Sequence, residues 1–314
     1  MGKKVYVIPT GALSFKRQAQ LLGEVINGYV YDRLYHPLGH VDTLILIGNI
    51  DVMNVSIPFN LSFDKLILYT VIEGDFSPTP VKYIINKYKP IIITPSNYVK
   101  SLLESHGISV DAVIPHGIQY APLKEIPKKD IDYLYIGEYQ KRKIPPYGLK
   151  VLQALQDKLV LVSDFNNPNI KSLKVKEKYQ SMKSLPSFNI KYATEPIITY
   201  LYTRAKFYLN VSANEGFGLT PLESEAFGDI PITPRLPVFK ETLGNCPYFL
   251  DIDENDIEIW NYGALKLHLY KYDPEQLIKL AENSTYDISR AKECIENASI
   301  YEYKQVYKRF NEFI

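Results

Sequence analysis

The stretch 205–228, AKFYLNVSANEGFGLTPLESEAFG, restricts what this chain can fold into more than any other. Phe207, Tyr208, Leu209 and Val211 make an apolar, strand-forming run. Ser212, Ala213, Asn214 and Glu215 form a polar loop, and Gly216 and Gly218 bracket Phe217. Thr220-Pro221-Leu222-Glu223 reads as a helix start, with Thr220 the N-cap, Pro221 the first helical position and Glu223 closing a capping box. Strand, glycine turn and helix N-terminus in that order aim backbone N–H groups and the positive end of a helix dipole at one spot. Such a spot suits a phosphate or diphosphate. Glu215 and Glu223 frame it, one before the turn and one in the first helical turn. Glu223 reads equally well as a capping residue and nothing more.

The rest of the chain alternates in the same way. Near-continuous apolar runs at 41–47 and 65–72 read as buried parallel strands. Further strands are expected at 5–8, 90–94, 132–137, 159–162 and 230–233. Helices are expected at 15–25 behind a Ser14 cap, at 80–88, 96–104, 147–155, 195–206, 274–281 and 288–313. Gly107 ends the third of these. The pattern is α/β. A length of 314 residues is comfortable for two domains. The segment 121–130, APLKEIPKKD, is proline-containing, charged and aperiodic, and reads as the linker. The expected division is 1–120 and 131–299. The apolar positions Tyr301, Tyr303, Val306, Tyr307 and Phe310 suit a last helix, 300–314, that returns to the first domain.

Composition excludes several classes. With 36 basic and 35 acidic residues the net charge is +1, so no nucleic-acid partner is expected. No apolar run reaches the ~18 residues of a membrane-spanning helix. Lys3 and Lys4 lead into an apolar run that Pro9 and Thr10 cut short, which is not a signal peptide. Cys246 and Cys294 make neither a disulfide framework nor a metal site, and are expected to be free thiols in a reducing, cytoplasmic setting. Lys16, Arg17 and the lysines at 168–184 (Lys171, Lys174, Lys176, Lys178, Lys183) read as solvated charge. The sharper alternative is a peripheral contact with a membrane surface or an anionic acceptor. Asp251, Asp253 and Asp256 look like a metal-binding D-x-D, but acidic loops are common and no metal is expected.

The string Glu215-Gly216-Phe217-Gly218-Leu219-x-Pro221-x-Glu223 resembles the donor-site signature of retaining GT-B-fold glycosyltransferases, above all glycosyltransferase family four. ITPSNYVKSLLESHGI is similar to the family's strand, Ser-capped helix and glycine stop. Pro115-His116-Gly117-Ile118 is similar to the element that closes its first domain. The likeness covers roughly 94–250, and the first hundred residues match in architecture only. It implies two doubly wound Rossmann-like domains facing each other across a cleft, the second holding a nucleotide-sugar and the first the acceptor, a glycan, lipid or protein. Glu215 would contact the transferred sugar and Glu223 the ribose. Gly216, Phe217, Gly218, Leu219 and Thr220 would hold the diphosphate. The co-substrate implied is a UDP- or GDP-sugar, with no cofactor and no metal.

Several positions depart from the family. Relatives place an Arg directly after the glycine equivalent to Gly137, where this chain has Glu138. Lys143 matches a second family cation by spacing, with Lys141 and Arg142 beside it, and a departing diphosphate needs such charge. Glu73, with Asp75 near it, falls where relatives carry a sugar-contacting His. The loop after the first strand keeps only Gly11. His116 is attractive as a base, but a retaining enzyme of this type needs none, and a turn or supporting role is favoured. Pro234-Arg235-Leu236-Pro237 replaces a glycine-rich loop that usually lines the donor sugar. Hexosyl transfer with retention is the expected chemistry, with catalytic roles for Glu215, Lys143 and Glu73. The alternatives are a GT-B protein that binds a nucleotide or sugar without transferring it, and a nucleotide-sugar epimerase.

Overall fold

The computed structural model describes residues 3–31, 39–51, 57–58, 60–163 and 194–314. The chain divides into two compact units. The first is Met1–Gln119, Ile259–His268 and Ile300–Ile314; the second is Tyr120–Glu258 and Leu269–Ser299.

The first unit holds β1 (Val5–Pro9), α1 (Leu13–Ile26), β2 (Tyr29–Val30), β3 (Gly39–Asn49), β4 (Leu61–Val71), β5 (Gly74–Phe76), α2 (Pro78–Tyr88), β6 (Ile91–Thr94), α3 (Asn97–Ser105) and β7 (Ala112–Val113). Six of these strands form one parallel sheet in the order β2-β1-β3-β4-β6-β7. The apolar runs of β3 and β4 are continuous because helices and the C-terminal segment cover the sheet. Ile45, Ile47, Ile67 and Tyr69 share a core with Leu22 of α1 and with Val306, Tyr307 and Phe310. Ser96 caps α3 by accepting from Val99 N at 3.2 Å. α1 begins earlier than its serine suggests: Ala12 is the N-cap, with no side-chain cap, and Ser14 lies inside the helix.

The second unit holds β8 (Ile131–Ile136), α4 (Pro146–Ala154), β9 (Leu159–Val162), α5 (Glu195–Arg204), β10 (Ala205–Leu209), α6 (Leu219–Glu225), β11 (Ile230–Pro234), α7 (Phe239–Thr242) and β12 (Tyr248–Leu250). Their parallel sheet runs β12-β11-β10-β8-β9. Two strands unmarked in the sequence reading follow, β13 (Ile257–Tyr262) and β14 (Leu265–Tyr270). β14 pairs antiparallel with β5, which makes a strand of the residues directly after Glu73. α8 (Pro274–Asn283) and α9 (Ile288–Ser299) come next, then α10 (Tyr303–Val306) and a 3-10 turn, Tyr307–Glu312. The single helix expected over 288–313 is therefore interrupted. The chain leaves α9 so that Tyr301 O can accept from Ile118 N (2.8 Å) and Tyr303 N can donate to Ile118 O (3.1 Å).

The abundant tyrosines are core struts. Tyr69, Tyr135, Tyr202, Tyr208 and Tyr307 are among the largest fully buried side chains. Tyr69 donates to Ile114 O at 2.9 Å, Tyr208 to Ile136 O at 2.8 Å and Tyr272 to Val211 O at 2.7 Å. A buried ring with its hydroxyl satisfied contributes apolar burial without a stranded polar group.

The cysteines are paired, which corrects the free-thiol expectation. Cys246 and Cys294 form a disulfide across 48 residues, with Cα atoms 5.3 Å apart. α9 brings Cys294 back against the segment before β12, a proximity that spacing alone does not encode. The case for a reducing compartment loses its basis with them. No helix among the described residues is long and apolar enough to cross a membrane.

Candidate functional site

In the second unit the chain runs from β8 to β9 on one side of β8, then returns to β10 on the other. Ligands of open α/β sheets bind outside the carboxyl ends of the strands at such a reversal. Two loops meet there. One leaves β8 and carries 137–144; the other leaves β10 and carries 210–218. Ala213 N donates to Arg142 O at 2.7 Å and locks them together. Buried Ile144, with Lys143 N and Ile144 N both donating to Gln140 O (2.9 and 2.8 Å), folds the first loop into a tight turn.

Glu215 is the centre of this arrangement. Its carboxylate is 7% exposed. Lys143 Nζ lies 3.3 Å from Oε1, Arg142 Nη1 3.5 Å from Oε2, and Ser212 Oγ donates to Oε1 at 2.8 Å. Burial would raise this carboxyl. Lys143, then Arg142, and the Ser212 hydroxyl outweigh it and hold the group below its ordinary value. Glu215 is thus ionised, with two cations against its carboxylate.

The glycine turn follows. Gly218 has φ +84°, and a Cβ there would lie 2.3 Å from Cε1 of Phe239. Only glycine fits, for backbone and for space. Gly218 is also the N-cap of α6, with no side-chain cap. This corrects the Thr220 cap and its capping box: the helix starts at Leu219 and Thr220 lies inside it. α6 spans seven residues, so its dipole is modest and the charge at the site comes chiefly from Arg142 and Lys143. Pro221 has no N–H, and Leu222 N donates to Gly218 O at 3.4 Å, so Leu219 and Thr220 supply the first-turn amides. Glu223 is 3% exposed, close enough to Tyr202 and Tyr208 for its charge to raise both phenols, after burial as the larger cause.

Other expected residues fall elsewhere. Lys141 donates to Glu258 Oε1 at 2.5 Å. Gly137 N donates to Val162 O at 3.0 Å, and a Cβ on Gly137 would meet the Tyr135 hydroxyl at 2.7 Å, so this glycine answers to core packing. Glu138 accepts from Gln140 at 3.2 Å. Gly11 and Glu73 belong to the first unit. Gly11 is exposed with φ +76° and open space around it. Glu73 is half-buried, and its backbone carbonyl accepts from His268 N at 3.2 Å. Asp75 lies between His268 Nε2 (3.0 Å) and His106 Nε2 (3.4 Å). His116 is buried against Tyr69, and burial lowers it to about 3, too weak a base for general-base work near neutral pH. Arg17 donates to Gln119 at 3.0 Å. The lysines of 168–184 lie outside the described residues.

The D-x-D does not gather. Asp251 pairs with Arg235 (2.6 Å), Asp253 accepts from Asn255 N (2.9 Å) and Asp256 pairs with Lys271 (2.9 Å). Among the described residues two other groups place three ligand atoms within 4.8 Å: Glu225 with Cys246 and Cys294, and His40 with Asp42 and Asp64. The disulfide consumes the first. The second is largely exposed, and Asp42 already accepts from Lys4 N at 2.6 Å. Sequence reasoning missed Ser212 and Arg142 as the groups that hold Glu215; Ser212, three residues before a loop Glu, was the readable signal.

No protein-family model matches the chain. Over 217 residues, 65% of its length, it is 25% identical to Putative glycosyltransferase 41 of Sulfolobus islandicus filamentous virus, and the match spans 58% of that relative. It is 25% identical over 233 residues to Putative glycosyltransferase 63 of the same virus, covering 73% of the chain and 75% of the relative. Among solved structures it is similar to Anabaena HepE in complex with UDP and glucose, with TM-score 0.62, 11% identity and 99% of each chain covered. It is also similar to sucrose-phosphate synthase from Thermosynechococcus elongatus, with TM-score 0.66, 11% identity and coverage of 99% and 98%. At that identity the likeness concerns the fold alone, which is α/β with parallel sheets, the GT-B architecture.

Proposed function

We propose that the protein is a glycosyltransferase of hexosyl type that moves a sugar from a UDP- or GDP-sugar to an acceptor, with retention of configuration and without a metal. The observation that carries this reading is Glu215, ionised and buried at the sheet's reversal point, gripped by Lys143, Arg142 and Ser212. The viral relatives bear glycosyltransferase names, and HepE is similar in fold and holds UDP and glucose, which supports uridine as the first base to test.

In this reading the diphosphate lies against the Gly216–Thr220 backbone and draws Lys143 and Arg142 toward it. Those cations neutralise charge that grows on the leaving group, where fixed charge lowers the barrier most. Glu215, released from part of their hold, accepts from sugar hydroxyls, and Glu223 takes the ribose. The leaving phosphate receives the acceptor's proton. A second reading, binding without transfer, is favoured by Glu138 and by the Lys141–Glu258 pair, which remove two expected cations from the diphosphate.

Incubation with UDP- and GDP-sugars, followed by release of nucleotide diphosphate with and without sugar acceptors, separates the readings. Transfer requires acceptor-dependent release. Glu215→Ala is expected to lower turnover more than nucleotide affinity, and Glu223→Ala to weaken nucleotide binding. Unchanged values for both variants would overturn the assignment.

A further inference from the structure

A chain of contacts joins the disulfide to the glycine turn inside the second unit. Cys246 Sγ lies 3.3 Å from Glu225 Oε1, at the end of α6. The other oxygen, Oε2, accepts from Asn297 Nδ2 at 2.6 Å. The same Asn297 nitrogen donates to Thr242 O at 3.0 Å. Thr242 Oγ1 in turn shares its one proton between Phe217 O, in the turn itself, and Val238 O, each at 3.2 Å. Phe239, one helical turn before Thr242 on α7, packs on Gly218. Glu225, Cys246, Cys294 and Thr242 are all buried.

The same face of α9 supplies every outer anchor of this chain. Arg290 Nη1 donates to Cys246 O at 2.9 Å, Cys294 forms the disulfide, and Asn297 reaches Glu225 and Thr242. Residues three and four apart share a helix face, so the covalent bond at 294 fixes the register of Asn297. Burial raises Glu225 well above its ordinary value, with Asn297 opposing, which favours the protonated form. That form has a proton to direct at the disulfide sulfur, which has none of its own.

We propose that Asn297 is a positioning residue for the Phe217–Gly218 turn, and that the Cys246–Cys294 bond locks it there, so that thiol–disulfide exchange sets nucleotide-sugar affinity. This rests on the function proposed above. Exchange with a dithiol reductant breaks the S–S bond and forms two thiols. The reductant supplies two electrons and two protons and leaves as its own disulfide. Both sulfurs are buried, so exchange follows a local opening at α9; there the reductant's thiolate attacks Cys294 Sγ, and Glu225 gives its proton to the departing Cys246 sulfur. Glu225 then regains a proton as the second reductant sulfur displaces Cys294 as a thiol. With the tie broken, α9 is held at this face by hydrogen bonds and by the packing of buried Ala291 and Ala298, with no covalent bond to fix its register. Asn297 then no longer keeps Thr242 on Phe217 O, and the turn loosens.

UDP and GDP are titrated into oxidised protein, into protein reduced to two thiols verified by alkylation and mass, and into Asn297→Ala in both states. The better-binding nucleotide is expected to lose about tenfold in affinity on reduction and a similar factor in oxidised Asn297→Ala. Reduction of Asn297→Ala should add little, because both changes cut one path. Donor KM should rise while kcat stays within about twofold, a split that general loss of structure would not give. Amide exchange at 216–222 without nucleotide should quicken on reduction, and this readout serves if the variant folds poorly. Unchanged affinity and unchanged exchange in fully reduced, folded protein would overturn the proposal while leaving the proposed function standing. Oxidised protein that binds neither nucleotide overturns both.

Discussion

The two units each contain a parallel sheet with a reversal point, and the two reversal points are built differently. In the first, the chain leaves β1 through Thr10 and Gly11, and Gly11, Ala12, Leu13 and Ser14 are all exposed, Leu13 at 70%. In the second, every residue from Val211 to Gly218 is buried, an ionised carboxylate among them. A loop that only turns needs a positive φ and nothing else. A loop that binds a charged group needs its polar side chains held before the ligand arrives, because ordering them at the moment of binding costs affinity. The difference favours the second loop as the seat of the proposed chemistry, without appeal to likeness. Both loops contain glycine, but only one surrounds it with cations, a carboxylate and an aromatic wall.

The sharpest way to break this comparison is Lys143→Ala. If the second reversal point is where a diphosphate departs, turnover falls by about 10²–10³-fold, the range for removing one fixed charge or donor that stabilises a leaving group. Steady-state rates on the donor that turns over check it, and a loss under threefold would place the chemistry elsewhere. The next test is a matched pair. Gly11→Ala and Gly218→Ala both force alanine into left-handed backbone, which costs about 1–2 kcal/mol. Gly218→Ala must also displace the Phe239 ring, adding roughly 1–3 kcal/mol of overpacking. Urea midpoints should therefore rank wild type, Gly11→Ala, then Gly218→Ala, and equal midpoints would mean that Phe239 yields freely. The smallest effect is on pH dependence. Glu215 has a folded value below its unfolded one, so its contribution to stability is full above the unfolded value and is lost as pH falls through the folded one. The decline of the urea midpoint below about pH 4.3, the ordinary Glu range, should be shallower in Glu215→Gln than in wild type. Identical slopes would show that Lys143 and Arg142 do not hold this carboxylate.

Much of the fold was legible because periodicity and burial agree. The apolar runs of β3, β4 and β10 could be nothing but buried strands, and the serine before α3 does cap it. The turn around Gly218 was legible for a reason that the structure sharpens: glycine is demanded twice, by φ and by Phe239. What failed was local chemistry decided by distant neighbours. Thr220 looked like a cap, yet Gly218 had already opened the helix. Lys129 lies in the segment that reads as a charged linker. It is buried, its ammonium donating to Tyr202 O, Phe227 O and Asp229 at 3.0, 2.8 and 2.7 Å. No spacing rule links 129 to 229. The cysteines, β13 and β14 were missed in the same way, since their partners arrive only when the chain has folded. At the site, Glu215 could be singled out from its motif, whereas its grip by Arg142 and Ser212 needed the two loops to be seen side by side.

The central claim is tested most directly by amide hydrogen exchange with and without a saturating nucleotide-sugar, UDP-glucose or its guanosine counterpart, whichever binds. The account predicts slowed exchange across 212–222 and in the 137–144 loop, and much less change at 10–16. Saturated protein in which 212–222 exchanges as fast as before, with protection confined to 10–16 or to some other segment, would contradict it.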